Sequence, residues 1–325
     1  MPPAAAAPLA ELRALLRAAL PRPGVAADHV ARIREGRGDT IAAVVYYGSH
    51  LWTETRKASS VPDFYVIADD LRAFHGARWR DALINAVMPP NVYYPRYAPV
   101  TPGQPPLTCK LSTISLAQLA AETAVDASDA HHIGRFSKRV GIIWHRDEAA
   151  AAAVVEASVQ AMRAVTRHAL VLLGPRFTLE ELVLAALGLS YRGERRLTEP
   201  DKIANLLRAE RDFYLQAYAL VLDAHAAEGG ALTRHGAGAD ATYQQPPADP
   251  RAARRTAAFL DRSRRREKLR WPKYLVTFDN WLDYLLDKLE RHSGIRLELT
   301  ERQRRYPLIF GWPLYFELRK KGVIR

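Results

Sequence analysis

The chain has 325 residues, of which 48% are hydrophobic, 25% charged and 9% aromatic. That composition can bury a sizeable core and excludes a disordered polymer. A formal charge of +12 and a pI of about 9.9 direct attention to anionic partners: nucleotides, nucleic acid or acidic lipid. The single cysteine, Cys109, excludes an intrachain disulfide and any cysteine-built zinc site, and reads as an inert core residue.

In chain order, Leu9, Leu12, Leu16 and Leu20 recur at helical spacing and predict an amphipathic first helix. Its interruption by Glu11, Arg13 and Arg17, with no basic stretch ahead of the apolar residues, makes it a poor signal peptide. No apolar run in the chain reaches the roughly 18 residues of a membrane-spanning helix. Thr40 to Tyr47 is a β-branched and aromatic run stopped by Gly48, and Asp63 to Ala68 is a second strand behind Pro62. Residues 79 to 88 predict a helix closed by Pro89 and Pro90. The proline- and tyrosine-rich stretch 91 to 106 predicts an extended loop.

A strand and a helix follow over 107 to 122, with Ser115 as N-cap, and then a third strand over Val140 to Trp144. From Asp147 the pattern is helical: 147 to 173, 178 to 187, and about 200 to 224. Residues 228 to 252, rich in Gly, Ala and Pro, predict a flexible connection. Beyond lie a basic helical segment from Arg251 to Lys273, a second amphipathic pattern over 281 to 289, and a Tyr/Trp/Pro-rich end. The expected fold class is therefore α+β: a mixed sheet in residues 1–146, a helical domain in 147–228, and a connection with a basic, aromatic region in 229–325.

The chemistry centres on Gly48, Ser49 and Asp63. A hydrophobic strand running into Gly-Ser lets backbone N–H groups and the Ser49 hydroxyl face a triphosphate, because Gly permits close approach and positive φ. Asp63 follows at hairpin spacing, which places a carboxylate beside that turn, where magnesium bridges carboxylate and phosphates. An exposed turn with a strand-entry Asp is the plainer reading of the same residues. A second acid two positions on would share the strand face, but that position is Tyr65. Asp69 and Asp70 lie about 20 Å further along a strand. Arg135 and Lys138 either direct two cations at one anion or form a solvated basic turn. Glu194 either supplies the missing carboxylate or makes a surface salt bridge. His131 and His132 suggest a metal pair, but adjacent residues point apart and no partner spacing follows, so they read as structural or surface residues.

The block from Tyr46 to Asp70 (YYGSHLWTETRKASSVPDFYVIADD) resembles the mitochondrial translocator-maintenance family (Tam41/Mmp37-like), which are CTP:phosphatidate cytidylyltransferases, and its bacterial relatives. Three further blocks follow in order. Asn91 to Tyr94 looks like the family's tyrosine-containing loop. His132 to Val140 looks like its GR-x-x-K-P-V segment, with Arg139 in place of proline. Leu189 to Arg196 looks like its Y-x-G-D-x-R segment, with Glu194 at the acidic position and Lys202 beyond it. The resemblance covers about residues 40 to 215, and the region after about 230 has no counterpart in it.

This resemblance implies a nucleotidyltransferase-type sheet and transfer of a cytidylyl group from CTP to phosphatidic acid. It assigns catalysis to Asp63, Ser49 and Lys138, nucleotide binding to Gly48, Ser49, Tyr65, Arg135 and Lys138, and a magnesium ion (Mg2+) to Asp63 and Glu194. The expected partners are CTP, phosphatidic acid and an anionic membrane surface rather than nucleic acid, with a cytoplasmic, peripheral position at the inner face of the membrane. The basic segment and the aromatic residues Trp312 to Phe316 suit that surface; alternatively the segment is a solvated helix packed on the body. Two other functions remain open at this point: a nucleotidyltransferase acting on RNA or another hydroxyl acceptor, and a non-catalytic protein that binds anionic surfaces.

Overall fold

The structure is a computed structural model. It describes residues 3–18, 26–48, 61–100, 103, 104, 106–194, 201–236, 238, 241–277, 282, 283, 285, 286, 289, 290, 297 and 299–320. The main sheet holds β1 (Ile41–Tyr47), β2 (Asp63–Ala68), β3 (Asn91–Tyr93), β6 (Lys110–Ser115) and β7 (Gly141–His145) in the order β3-β6-β2-β1-β7. β1 runs antiparallel to both β2 and β7, β2 is parallel to β6, and β3 is antiparallel to β6. A small ribbon of β4 (Arg96–Tyr97) and β5 (Leu107–Thr108) joins β3 to β6. The expected loop at 91 to 106 thus contains the edge strand of the main sheet, held by the pairing of Asn91 to Tyr93 with Leu111 to Thr113.

β1 and β2 are apolar on both faces, because helices cover both. On one face Ala43, Val45, Tyr65, Ile67 and Ile114 join a core with Leu9 and Leu12 of α1 (Pro3–Ala18), Leu119 of α5 (Leu116–Thr123), Ile133 and Phe136 of α6 (Ala130–Phe136), and Val154 and Met162 of α7 (Glu148–Leu172). On the other face Val44, Tyr46, Phe64 and Val66 pack with Val30 and Ile33 of α2 (Ala27–Arg34), Phe74 of α3 (Leu71–His75) and Cys109. Cys109 is fully buried there, and burial pushes its thiol pKa far up, as an inert thiol requires. α4 (Trp79–Val87) lies beside α3 and leads into β3. Ser115 and Gln118 form the capping box of α5, and the Asp147 carboxylate caps α7 by accepting the Ala150 N–H at 2.8 Å.

α8 (Leu179–Glu194), α9 (Asp201–Ala209) and α10 (Arg211–Ala227) complete the helical part and share the larger core with α7. The segment expected as a flexible connection carries β9 (Thr233–His235) and β10 (Thr242–Gln244); β10 pairs with both β9 and β8 (Arg176–Thr178). Stacking of Tyr243 on Phe177, ring centroids 5.6 Å apart, anchors that small sheet to the helical core. α11 (Pro250–Thr277) then packs along α6, α7 and α8. Short helices α12 (Glu301–Arg305), α13 (Pro307–Phe310) and α14 (Trp312–Lys320) close the described chain. The amphipathic pattern at 281 to 289 lies partly outside the described residues. Among the described residues, no helix is long and apolar enough to cross a membrane.

Candidate active site

The β1–β2 hairpin pairs Tyr47 with Asp63, so the turn glycine and the carboxylate meet at one end of the sheet. Gly48 has φ +92°, and a Cβ built on it would stand 3.3 Å from Asp63 Oδ2. The position thus needs glycine for its backbone angle, and the missing side chain avoids a tight contact with one carboxylate oxygen. The other oxygen faces a residue that the sequence analysis did not single out. The parallel pairing of β2 with β6 sets Lys110 beside Asp63, with Nζ 3.8 Å from Oδ1. Both side chains are partly exposed.

Period-two geometry puts Tyr47, Asp63, Tyr65, Lys110 and Ser112 on the same face of the sheet. The Tyr47 hydroxyl lies 3.3 Å from Ser112 Oγ. Tyr65, expected at the nucleotide, is fully buried, with its ring 4.8 Å from Tyr47, 5.2 Å from Phe136 and 6.0 Å from His132. In this position it seats α6 on the sheet instead of facing solvent. A Tyr in an apolar strand carries no local mark that separates these roles; only the helix packed above it does.

The expected cations lie at the end of α6 and just beyond it. Arg135 donates to the His131 carbonyl at 2.6 Å, and Lys138 Nζ sits 4.4 Å from the centre of the Tyr191 ring on α8. Neighbouring Arg139 pairs with Glu210 at 2.7 Å. His131 and His132 are both buried, which removes the surface reading, and their rings do not point apart but meet edge to face with centroids 4.9 Å apart. His131 Nδ1 lies 3.3 Å from Glu267, and burial lowers the His132 pKa, leaving the ring neutral 3.6 Å from Glu122.

The start of α6 is gripped by α11. The Asp129 carboxylate caps α6 through the His131 N–H at 2.8 Å and also meets Arg266 at 3.0 Å and Arg270 at 2.8 Å. Asp129 and Arg270 are both fully buried, a pairing tolerable because the two charges meet each other directly. Ser263 Oγ accepts the Ala130 N–H at 3.0 Å. At the same junction a Cβ on Gly193 would come within 2.7 Å of Ala130 Cβ, so α8 approaches α6 through a glycine.

Ser49 lies outside the described residues, as does the side chain of Glu194, whose backbone closes α8. Among the described residues no three His, Cys, Asp or Glu side chains form a metal-ready group. Among the described residues, Asp63 is the carboxylate at this corner, with Oδ2 beside Gly48. A single carboxylate plus substrate phosphates is an ordinary magnesium environment. A separate cavity of about 490 Å³, lined by Arg32, Arg37, Phe74, His75 and Tyr97 among others, opens on the α2–α3 side of the sheet and contains none of these residues.

The profile of the family Tam41/Mmp37, described as phosphatidate cytidylyltransferase, mitochondrial, matches residues 71–266, more than half of the chain. The chain belongs to this family. The matched stretch includes the phosphate-side candidates Lys110, Arg135 and Lys138. It begins after Gly48 and Asp63, and it continues through the β8–β10 sheet into α11, beyond the point where the sequence resemblance ended. No curated protein matches the chain. For this cytidylyltransferase-family chain the α+β architecture, with its mixed sheet and helical covering, agrees with the fold class read from the sequence.

Proposed function

We propose that the chain transfers a cytidylyl group from CTP to phosphatidic acid, giving CDP-diacylglycerol and pyrophosphate. Family membership carries this reading, and the corner formed by Gly48, Asp63 and Lys110 supports it. In the reaction a phosphatidate oxygen bonds to the α-phosphorus of CTP, and the bond to the bridging oxygen of the β-phosphate breaks. A phosphate monoester has its second pKa near about 6, so it is already largely dianionic at neutral pH and needs no general base. What the protein must supply is alignment and neutralisation of charge.

Gly48 and Ser49 receive the β- and γ-phosphates at the turn. Lys110, Lys138 and Arg135 provide cations for the triphosphate and the lipid phosphate. Asp63, with Glu194 from α8, is the set that would hold magnesium, which supplies further charge neutralisation on the phosphates when bound. Tyr65 contributes by seating α6. The lipid substrate places the work at a bilayer surface, on the cytoplasmic, inner face. The exposed aromatic residues of α13 and α14, with Arg302, Arg304, Arg305, Arg319 and Lys320 around them, suit attachment there.

The test is incubation of the full chain with CTP, magnesium and phosphatidate-containing vesicles, reading pyrophosphate and CDP-diacylglycerol. Asp63→Asn should lower metal-dependent turnover by a factor of about 100 or more. Unchanged turnover in that variant removes Asp63 from the site. Product with an RNA acceptor and none with lipid overturns the substrate assignment.

A further inference from the structure

α4 presents an apolar stripe to solvent. Trp79, Leu83 and Val87, at successive i, i+4 and i+8 positions, are 60%, 56% and 72% exposed, so they share one face of the helix. Soluble proteins scatter exposed large apolar residues singly; three aligned on one short helix mark a surface with a partner. The buried face of the same helix is fully used. Asn85 donates to Thr113 Oγ1 at 2.9 Å and accepts the Asn91 N–H at 3.1 Å, so rotation of the helix cannot hide the stripe.

The charge near the stripe is mainly positive. Arg72 and Arg80 are exposed, and the Arg80 guanidinium lies 5.5 Å from the centre of the Trp79 ring. Every carboxylate on α3, α4 and α5 or at the start of α3 is already engaged. Asp69 pairs with Arg146, Asp70 caps α3 through the Ala73 N–H, Asp81 pairs with Arg78 at 2.5 Å, and Glu122 meets Arg266 at 3.4 Å. The outer surface of α5 shows Ala117, Ala120 and Ala121. A second copy related by two-fold symmetry would set the same arginines against one another. An anionic lipid surface offers the matching chemistry: phosphates for the arginines, an interfacial zone for the indole, and acyl chains for Leu83 and Val87.

The stripe is also rigidly tied to the C-terminal half. Lys273 of α11 donates to the carbonyls of Met88 and Pro90, directly after α4. Leu269, one helical turn earlier on α11, is 60% exposed as well. We infer that the Trp79–Leu83–Val87 face of α4 is a second membrane-contacting element, which lays the sheet domain itself on anionic lipid independently of the C-terminal aromatic helices. The inference rests on the lipid-substrate reading for its biological sense, but its test does not depend on turnover.

Cys109 is buried, so a bimane label can be placed selectively on a Leu83→Cys variant of the full chain. With phosphatidylcholine vesicles doped with phosphatidate, the label should shift to the blue and be quenched by doxyl-labelled lipid, with little change on phosphatidylcholine alone. In parallel, Leu83→Gln/Val87→Gln should weaken vesicle binding by about tenfold or more, as expected for loss of two apolar contacts with lipid. Its turnover on phosphatidate dispersed in detergent should be unchanged. A label that remains accessible to aqueous iodide on the doped vesicles overturns the inference. So does a lipid-free rise in sedimentation coefficient with concentration that the double variant abolishes, because the stripe would then join two copies. Absence of any cytidylyl transfer defeats the proposed function while leaving the quenching result to decide the docking face.

Discussion

Lys110 and Asp63 form a partly exposed pair at 3.8 Å, a class of contact that contributes roughly 0–1 kcal/mol to stability. Its value therefore lies in the electrostatics of the corner. Lys110→Met should leave the melting temperature nearly unchanged and reduce CTP-dependent turnover by about 10- to 100-fold, as removal of a preorganised cation does; a turnover assay beside a thermal melt checks both halves. Gly48 and Asp63 were readable from the sequence because a hairpin makes their neighbourhood local. Lys110 was not, because parallel pairing of β2 with β6 joins distant segments and leaves no spacing rule. The burial of Tyr65 against Phe136 and His132 was not readable either, because α6 lies far from β2 in the chain.

At the scale of elements, α11 decides how the helical half is held. Its charge suggested either a lipid-binding segment or a solvated helix packed on the body, and the structure seats one side of it deeply. His168 of α7 stacks on Phe259 at 4.1 Å and lies 3.0 Å from Thr256 Oγ1. Burial, aided by Arg167, lowers the His168 pKa from 6.5 to about 4. Above pH 6.5 the ring is neutral whether folded or unfolded. As the pH falls from 6.5 toward 4 the unfolded chain takes up the proton and the folded chain does not, so stability is lost across that window. His168→Leu should flatten that part of the stability–pH curve, measured by thermal melts at stepped pH. His75, lowered to about 4 by burial and then by Arg78, will keep a portion of the slope. The helix itself was evident from sequence, but the complete burial of Arg270 was not. It follows from the meeting of Asp129 and Glu267 around the guanidinium, a set assembled from two distant segments.

For the whole molecule, the charge of +12 and the basic residues around α4, α12 and α14 would make the proposed lipid binding an electrostatic event first. Binding to phosphatidate-doped vesicles should weaken severalfold when salt rises from about 50 mM to about 500 mM, because the screening length contracts severalfold; vesicle sedimentation at stepped ionic strength measures it. The α+β class was legible in the order of strands and helices. The β8–β10 sheet was not, since its strands are three residues long and lie in a Gly- and Pro-rich stretch. The order of strands β3-β6-β2-β1-β7 also has a kinetic meaning. The β1–β2 hairpin is a local closure that can form early, whereas Lys110 reaches Asp63 only after the crossover through α3, α4 and β3 has closed, and non-local pairings of that kind form slowly. A refolding chain should therefore recover hairpin structure before activity, and the delay between the two would time the arrival of β6.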